Sequence, residues 1–106
     1  MQDAIDVLKA HYEDEDYSLD KLAKDLLVSR TQLYRKLKML INTTPNDFIT
    51  NYRMQQAEKM LKSSNQTISE IITKCGFRNR AFFYREFTRK HNCSPKDFRN
   101  KKEMTT

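Results

Sequence analysis

One pattern occurs twice in this chain, 50 residues apart. Leu33-Tyr34-Arg35-Lys36-Leu37 is followed by Thr44-Pro45-Asn46-Asp47-Phe48. Phe83-Tyr84-Arg85-Glu86-Phe87 is followed by Ser94-Pro95-Lys96-Asp97-Phe98. Upstream, Leu22-Ala23 and Leu26 pair with Ile71-Ile72 and Cys75 at an offset of 49, so the second copy holds one extra residue near Asn79. A solenoid needs at least about three stacked repeats. Two copies in 106 residues instead point to one supersecondary element used twice.

Each copy reads as helices. The chain has one Gly and two Pro and no stretch that alternates with period two, so an all-α fold without a sheet is expected. Residues 3–12 form an amphipathic helix, with Ile5 and Leu8 on one face and Ala4 beside them. Ser18 is placed to cap a helix over 19–26 whose inward face is Leu19, Leu22, Ala23 and Leu26. Ser29 caps a third helix that runs to about Ile41. Thr44-Pro45 pairs a hydroxyl cap with Pro at the first helical position. It opens a long helix that Ser63-Ser64-Asn65 ends, with Phe48, Ile49, Tyr52, Ala57, Met60 and Leu61 as its apolar side. A fifth helix covers about 68–75 and stops at Gly76. Asn79 caps a sixth over 80–91, and Ser94-Pro95 starts a short seventh. The expected organisation is an N-terminal subdomain over 1–43, a linker helix over 44–63 and a C-terminal subdomain over 64–106.

In both copies a short apolar-faced helix, a turn and a capped basic helix follow one another. That is the layout of a helix-turn-helix, whose second helix enters the major groove of DNA. At about 100° per residue, Thr31, Tyr34, Arg35 and Lys38 fall within about 100° of one another. Leu33, Leu37 and Leu40 lie opposite. In the second copy Ala81, Tyr84, Arg85 and Thr88 share a face, and Phe83 and Phe87 sit across from it. The recognition helices are therefore expected at about 30–41 and 80–91.

Charge agrees with a polyanion partner. Residues 1–16 carry one base and six acids, whereas residues 17–106 carry nineteen bases and eight acids, within a net charge of +6. On composition alone, solvated surface charge explains this equally well. No apolar stretch approaches the roughly 18 residues of a membrane span, and nothing reads as a signal peptide. Two cysteines, Cys75 and Cys93, are too few for a disulfide framework.

Side-chain chemistry assigns candidate roles. Arg35 and Arg85 are planar forks able to donate two hydrogen bonds to guanine O6 and N7. Thr31 and Ala81, in the first helical turns, can meet a thymine methyl. Arg30 and Arg80 at the helix entrances can reach bases or phosphates. Ser29, Asn79, Lys38, Arg89 and the N–H groups of both helix starts suit phosphates. Phe82 either covers a sugar or methyl at the recognition face or packs on the fifth helix, and the residues leave both readings open. Phe48, Phe83, Phe87 and Phe98 are expected in the core. His11 and His91 lack ligand partners at metal-binding spacing, so no metal is expected. Cys75 reads as a small interior hydrophobe, no base is evident to activate Cys93, and the acidic run 13–16 reads as a solvated loop.

These residues carry a resemblance. The stretch 18–99 resembles the C-terminal DNA-binding domain of the arabinose-operon regulator (AraC/XylS-type) family. The resemblance lies in Ser18-Leu19, Leu22-Ala23, Ser29-Arg30, Leu33, Arg35 and Leu37-Lys38. It continues in Ile68, Glu70-Ile71, Gly76-Phe77, Phe82-Phe83, Arg85, Phe87, Ser94-Pro95 and Phe98. It implies seven helices, two helix-turn-helix subdomains joined by a linker helix at about 45–62, and recognition helices one DNA turn (~34 Å) apart. By position it implies base contacts from Thr31, Tyr34 and Arg35, then Arg80, Ala81, Phe82 and Arg85. It implies double-stranded DNA as partner, RNA polymerase as a further candidate, a transcription-regulator role in the bacterial cytoplasm, no enzyme activity and no cofactor. Dimerisation would come from other parts of a longer parent protein. Four positions depart from the family pattern. Leu27 stands where a turn Gly is usual, which implies a differently shaped turn. Ile72 replaces Ala, which implies a wider spacing of the fifth and sixth helices. Arg80 replaces Pro, and Thr88 replaces a base. The wording at 29–38 looks most like regulators in which this domain ends a hybrid two-component sensor, which would make the chain a fragment.

Two rival classes stay open at this level. A protein-interaction module would dock an acidic partner on the basic helices. An enzyme such as a DNA-repair alkyl transferase would need Cys75 or Cys93 as a nucleophile.

Overall fold

A computed structural model describes residues 2–100, and they form seven α-helices: α1 (Gln2–His11), α2 (Leu19–Asp25), α3 (Arg30–Ile41), α4 (Pro45–Ser63), α5 (Ile68–Lys74), α6 (Arg80–His91) and α7 (Pro95–Asn100). There is no strand among the described residues. The helices pack in a repeated order: α1 on α2, α2 on α3 and α3 on α4, then α4 on α5, α5 on α6 and α6 on α7. The long helix α4 belongs to both units. Its first turns do for the first unit what α7 does for the second. Its second half stands toward α5 as α1 stands toward α2.

The duplication extends to the caps. Recognition helices α3 and α6 each have 12 residues and each ends on an asparagine in the left-handed region, Asn42 (φ 51) and Asn92 (φ 57). Thr44 and Ser94 accept from the backbone N–H of Asp47 and Asp97, both at 3.1 Å. Short polar side chains satisfy donors that a helix start would otherwise leave unpaired. Ser18 holds the N-cap position of α2, but its side chain makes no capping bond.

Two apolar clusters form, and α4 joins them. Leu8, Tyr17, Leu22, Ala23, Leu33, Leu37 and Ile49 make the first. Tyr12, Met54, Ala57, Leu61, Ile71, Ile72, Cys75, Phe77, Phe83 and Phe87 make the second. Phe48 and Phe98 are half-buried and pack against the edges of these clusters rather than inside them. Leu19 and Leu26 do the same on the first cluster. Three residues face otherwise than expected. In α1 the buried pair is Ala4 and Leu8, four apart, so Ile5 turns outward. Leu40 is 57% exposed, at the rim of a hollow it shares with Ala4 of α1 and with Leu26 and Val28 of the turn before α3. Tyr84, expected outward with Arg85, is half-buried with its ring edge on Phe83.

The two turns are alike, against the expectation from Leu27. Leu27 has φ 59 and its counterpart Gly76 has φ 85. Leu27 N–H donates to Lys24 O and Val28 N–H to Ala23 O, both at 3.0 Å. Gly76 N–H donates to Thr73 O and Phe77 N–H to Ile72 O, both at 3.1 Å. Leucine is thus forced into the backbone shape that glycine takes freely. The fold allows it because the Leu27 side chain is 92% exposed and meets no obstacle. Position 76 is different. A Cβ there would lie 2.1 Å from Tyr12 O and 2.8 Å from Arg53 Nε, since the turn presses on the end of α1.

Substitution at the two turns should therefore act in opposite directions. Leu27→Gly is expected to stabilise the domain by about 0.5–1 kcal/mol, the relief of left-handed strain less glycine's entropy loss. Gly76→Ala is expected to cost on the order of 3 kcal/mol, because strain adds to a backbone collision. Urea unfolding midpoints of the two variants check both signs.

Candidate nucleic-acid interface

The first recognition helix starts from a complete capping box: Gln32 N–H donates to Ser29 Oγ at 3.0 Å and Ser29 N–H to Gln32 Oε1 at 2.8 Å. The second starts from a simpler cap, with Phe82 N–H donating to Asn79 Oδ1 at 2.9 Å. The acceptor atoms of Ser29 and Asn79 are thus committed to the helices. Their remaining donors, the Ser29 hydroxyl and the Asn79 amide N–H groups, are what they can offer a phosphate.

The candidate base readers lie at the surface. Thr31, Tyr34, Arg35 and Lys38 are exposed along α3, as are Arg80, Ala81 and Arg85 on α6. Arg30, Thr31 and Tyr34 come together on the wall of an open hollow of about 610 Å³, with Leu19, Thr44, Pro45 and Asn46 completing it. Phe82 is half-buried: its ring centroid lies 6.5 Å from that of Phe77, and the Arg85 guanidinium stands over it at 5.6 Å. A cation held over an aromatic face is restrained without losing its charge or its hydrogen-bond donors. Phe82 therefore packs inward and also orients Arg85.

Arginines around the recognition helices differ in their partners. Arg35 and Arg85 form no ion pair with a carboxylate among the described residues. Arg30 Nε lies 2.9 Å from Asp20 Oδ1, and Arg89 Nη2 lies 2.6 Å from Glu86 Oε1. Arg80 Nη1 donates to Ser69 Oγ at 3.0 Å. A second open cleft, of about 590 Å³, separates α6 from α4. It brings Phe82, Glu86, Arg89 and Lys90 to face Asp47, Thr50, Asn51 and Met54.

Comparison with known proteins fits this geometry. A family model described as a helix-turn-helix domain matches residues 22–101. A solved structure described as a transcriptional regulator with an AraC-type DNA-binding domain, from Chromobacterium violaceum, superposes with a TM-score of 0.84 at 28% identity, over 92% of this chain and 87% of that one. The chain belongs to the AraC-type helix-turn-helix family. It is also 32% identical to the transcriptional activator RhaS of Escherichia coli over 87% of this chain, and 30% identical to histidine kinase P4 of Formosa agariphila over 95%. It spans only 33% and 7% of the length of those two proteins.

Two features of this AraC-type domain lay outside the sequence reading. Arg53, on α4, donates from Nε to Tyr12 O at 3.1 Å and from Nη2 to Asp14 O at 2.8 Å and Tyr17 O at 3.2 Å. One guanidinium thus gathers the loop between α1 and α2 against the linker helix. Burial lowers its pKa and Asp14 partly offsets that. The acidic run is not merely solvated either: Arg78, in the turn before α6, pairs with Asp16 and lies 3.7 Å from Glu15. The only sequence signal for Arg53 was a base within about 40° of Ile49 on the helical wheel. Its partners lie 36 to 41 residues away.

Cys75 and His91 are taken up by the structure. Cys75 is buried, and burial, with Glu13 adding, pushes its thiol up to about 12. His91 Nε2 lies 2.8 Å from Glu58 Oε2 and its ring packs between Phe87 and Phe98. No group of three or more potential metal ligands occurs among the described residues.

Arg53→Met keeps the length of the side chain and removes every donor. It should cost about 2 kcal/mol, as three carbonyls lose a charged partner but partly regain water. Calorimetric melting of the variant measures it, and an unchanged melting temperature would show that the loop holds without the guanidinium.

Proposed function

We propose that this domain binds duplex DNA in a sequence-specific manner and serves as the output domain of a bacterial transcription regulator. The observation that carries the reading is that Arg35 and Arg85 occupy matching positions on two equally long basic helices, both exposed and both without a carboxylate partner among the described residues. Helices α3 and α6 enter successive major grooves on one side of the DNA. The long dimension of the domain, 42 Å, accommodates two helices separated by one turn of about 34 Å.

In this reading Thr31, Tyr34 and Arg35 read bases in one groove, and Arg80, Ala81, Phe82 and Arg85 read bases in the next. Ser29, Arg30, Lys38, Asn79 and Arg89 hold phosphates. The domain does no chemistry of its own. The similarity to a histidine kinase over 95% of this chain supports a place at the output end of a hybrid two-component sensor. Such a parent would be anchored in the membrane, with this domain on the cytoplasmic side and dimerisation in other segments. No described helix is long and apolar enough to cross a membrane itself. RNA polymerase is the partner an activator of this kind would recruit.

The reading is tested by selecting bound duplexes from a random pool and then titrating variants against the selected site. Arg35→Ala and Arg85→Ala should each cost about 1–3 kcal/mol and relax preference at one base pair. A loss spread evenly over all sequences would instead make these residues phosphate clamps. Absence of any enriched sequence would remove the proposal, and absence of any duplex-DNA band shift even at low salt would favour an interaction module.

A further inference from the structure

The unequal partnering of the arginines has a consequence for affinity. Arg30 and Arg89, which the proposed function places on phosphates, are already held by carboxylates of the same chain. Arg30 Nε sits 2.9 Å from Asp20 on α2. Arg89 Nη2 sits 2.6 Å from Glu86, one turn earlier on α6. The Glu86 side chain is 21% exposed and the Arg89 side chain 74%, so the acid sits against the wall of the α4–α6 cleft and the base reaches out into solvent. Attraction to Glu86, with a smaller pull from Asp47, raises the Arg89 pKa. Arg35 and Arg85 carry no such restraint.

A guanidinium binds carboxylate and phosphate through the same planar fork. We infer that Asp20 and Glu86 are internal stand-ins for DNA phosphates, which occupy Arg30 and Arg89 in the free domain and must be displaced when DNA binds. The inference rests on the DNA-binding reading above. Each phosphate neutralised by a free arginine releases about 0.9 of a condensed counterion. An arginine that leaves a carboxylate bare beside the DNA returns part of that gain, because the bare acid both repels phosphate and recovers a cation. The two acids thus lower the grip on any sequence alike and leave base reading to Arg35 and Arg85. A domain with a deliberately moderate grip stays on DNA only where its base contacts, or a second bound copy in a longer parent, add to it.

The test compares the intact domain with Glu86→Gln and Asp20→Asn by fluorescence anisotropy, on the selected duplex and on a scrambled one, across a series of salt concentrations. Each substitution should tighten binding to both duplexes by up to about eightfold at ~0.1 M salt, the equivalent of one counterion. The slope of log K on log salt should steepen by up to about 0.9, and the ratio of the two affinities should hold. In an Arg89→Ala background, Glu86→Gln should give a much smaller gain, only that from the acid's own repulsion, and the same applies to Asp20→Asn in an Arg30→Ala background. Unchanged affinity and slope would overturn the inference. So would a gain undiminished by loss of the arginine, since the acid would then merely repel DNA from a distance. Should one substituted protein fail to fold by circular dichroism, the other pair carries the same test. If the unsubstituted domain does not prefer the selected duplex, the DNA-binding reading fails; if it does and the variants are inert, only the role of the acids falls.

Discussion

The junction among Arg53, Tyr12 and Gly76 decides whether two small readers act as one. A helix of 19 residues sets how far apart the two units lie and their phase about its axis. It does not stop either unit from rocking on its side chains. The loop after α1 supplies that restraint. Arg53 binds three of its carbonyls, Tyr12 puts its ring in the second cluster, and Gly76 lets the second unit's turn reach the Tyr12 carbonyl. Arg78 then ties the same loop to the entrance of α6. Helix α1 serves both units: Leu8 fills the first core and Tyr12 the second. A reader that rocked would average its arginines over many positions and lose the geometry that bidentate base contacts require.

Much of the architecture was legible because the repeat states it twice. Cap residues recur at fixed offsets, and a short polar side chain followed by a helix start has a local cause: it pairs backbone N–H groups within three residues. The same locality explains why the boundaries of α3, α4 and α6 follow so closely from Ser29, Thr44 and Asn79. The Leu27 turn misled for an instructive reason. Glycine is preferred in a left-handed turn, but the preference is worth only about 1–2 kcal/mol. Two backbone hydrogen bonds and the packing of Val28 beneath the turn are enough to hold leucine there.

What stayed hidden depends on pairs distant in sequence. Met54 is 2% exposed yet fell outside the expected apolar side of α4, because that helix buries one stripe in the first cluster and another in the second. Periodicity finds a single stripe and blurs two. In α1, Ala4 rather than Ile5 is the inward residue, because the buried face is set by Leu8 four residues on. Arg53 looked like any linker base until the loop 36 to 41 residues earlier folded over it. The candidate base readers were more accessible to reasoning, since exposure on the face opposite Leu33–Leu37 and Phe83–Phe87 follows from helical geometry alone.

Duplication of the scaffold has not produced duplicate readers. On α3 the outward groups are a hydroxyl, a phenol and a free guanidinium, and the helix holds no acid. On α6 the corresponding surface carries Ala81 and the edge of Phe82, with Arg85 steadied over the aromatic ring. The first face is suited to hydrogen bonds with base edges, the second to thymine methyls beside one guanine-directed fork. The helix starts differ as well. The capping box takes the Ser29 N–H into Gln32, whereas Asn79 has no such partner three residues on, where Phe82 stands. The second helix start therefore keeps one more backbone donor for a phosphate. A common frame fixes where the two helices sit, and the side chains on their outward faces, mostly outside the core, are left to differ, so the two half-sites need not resemble each other even though the units that read them do.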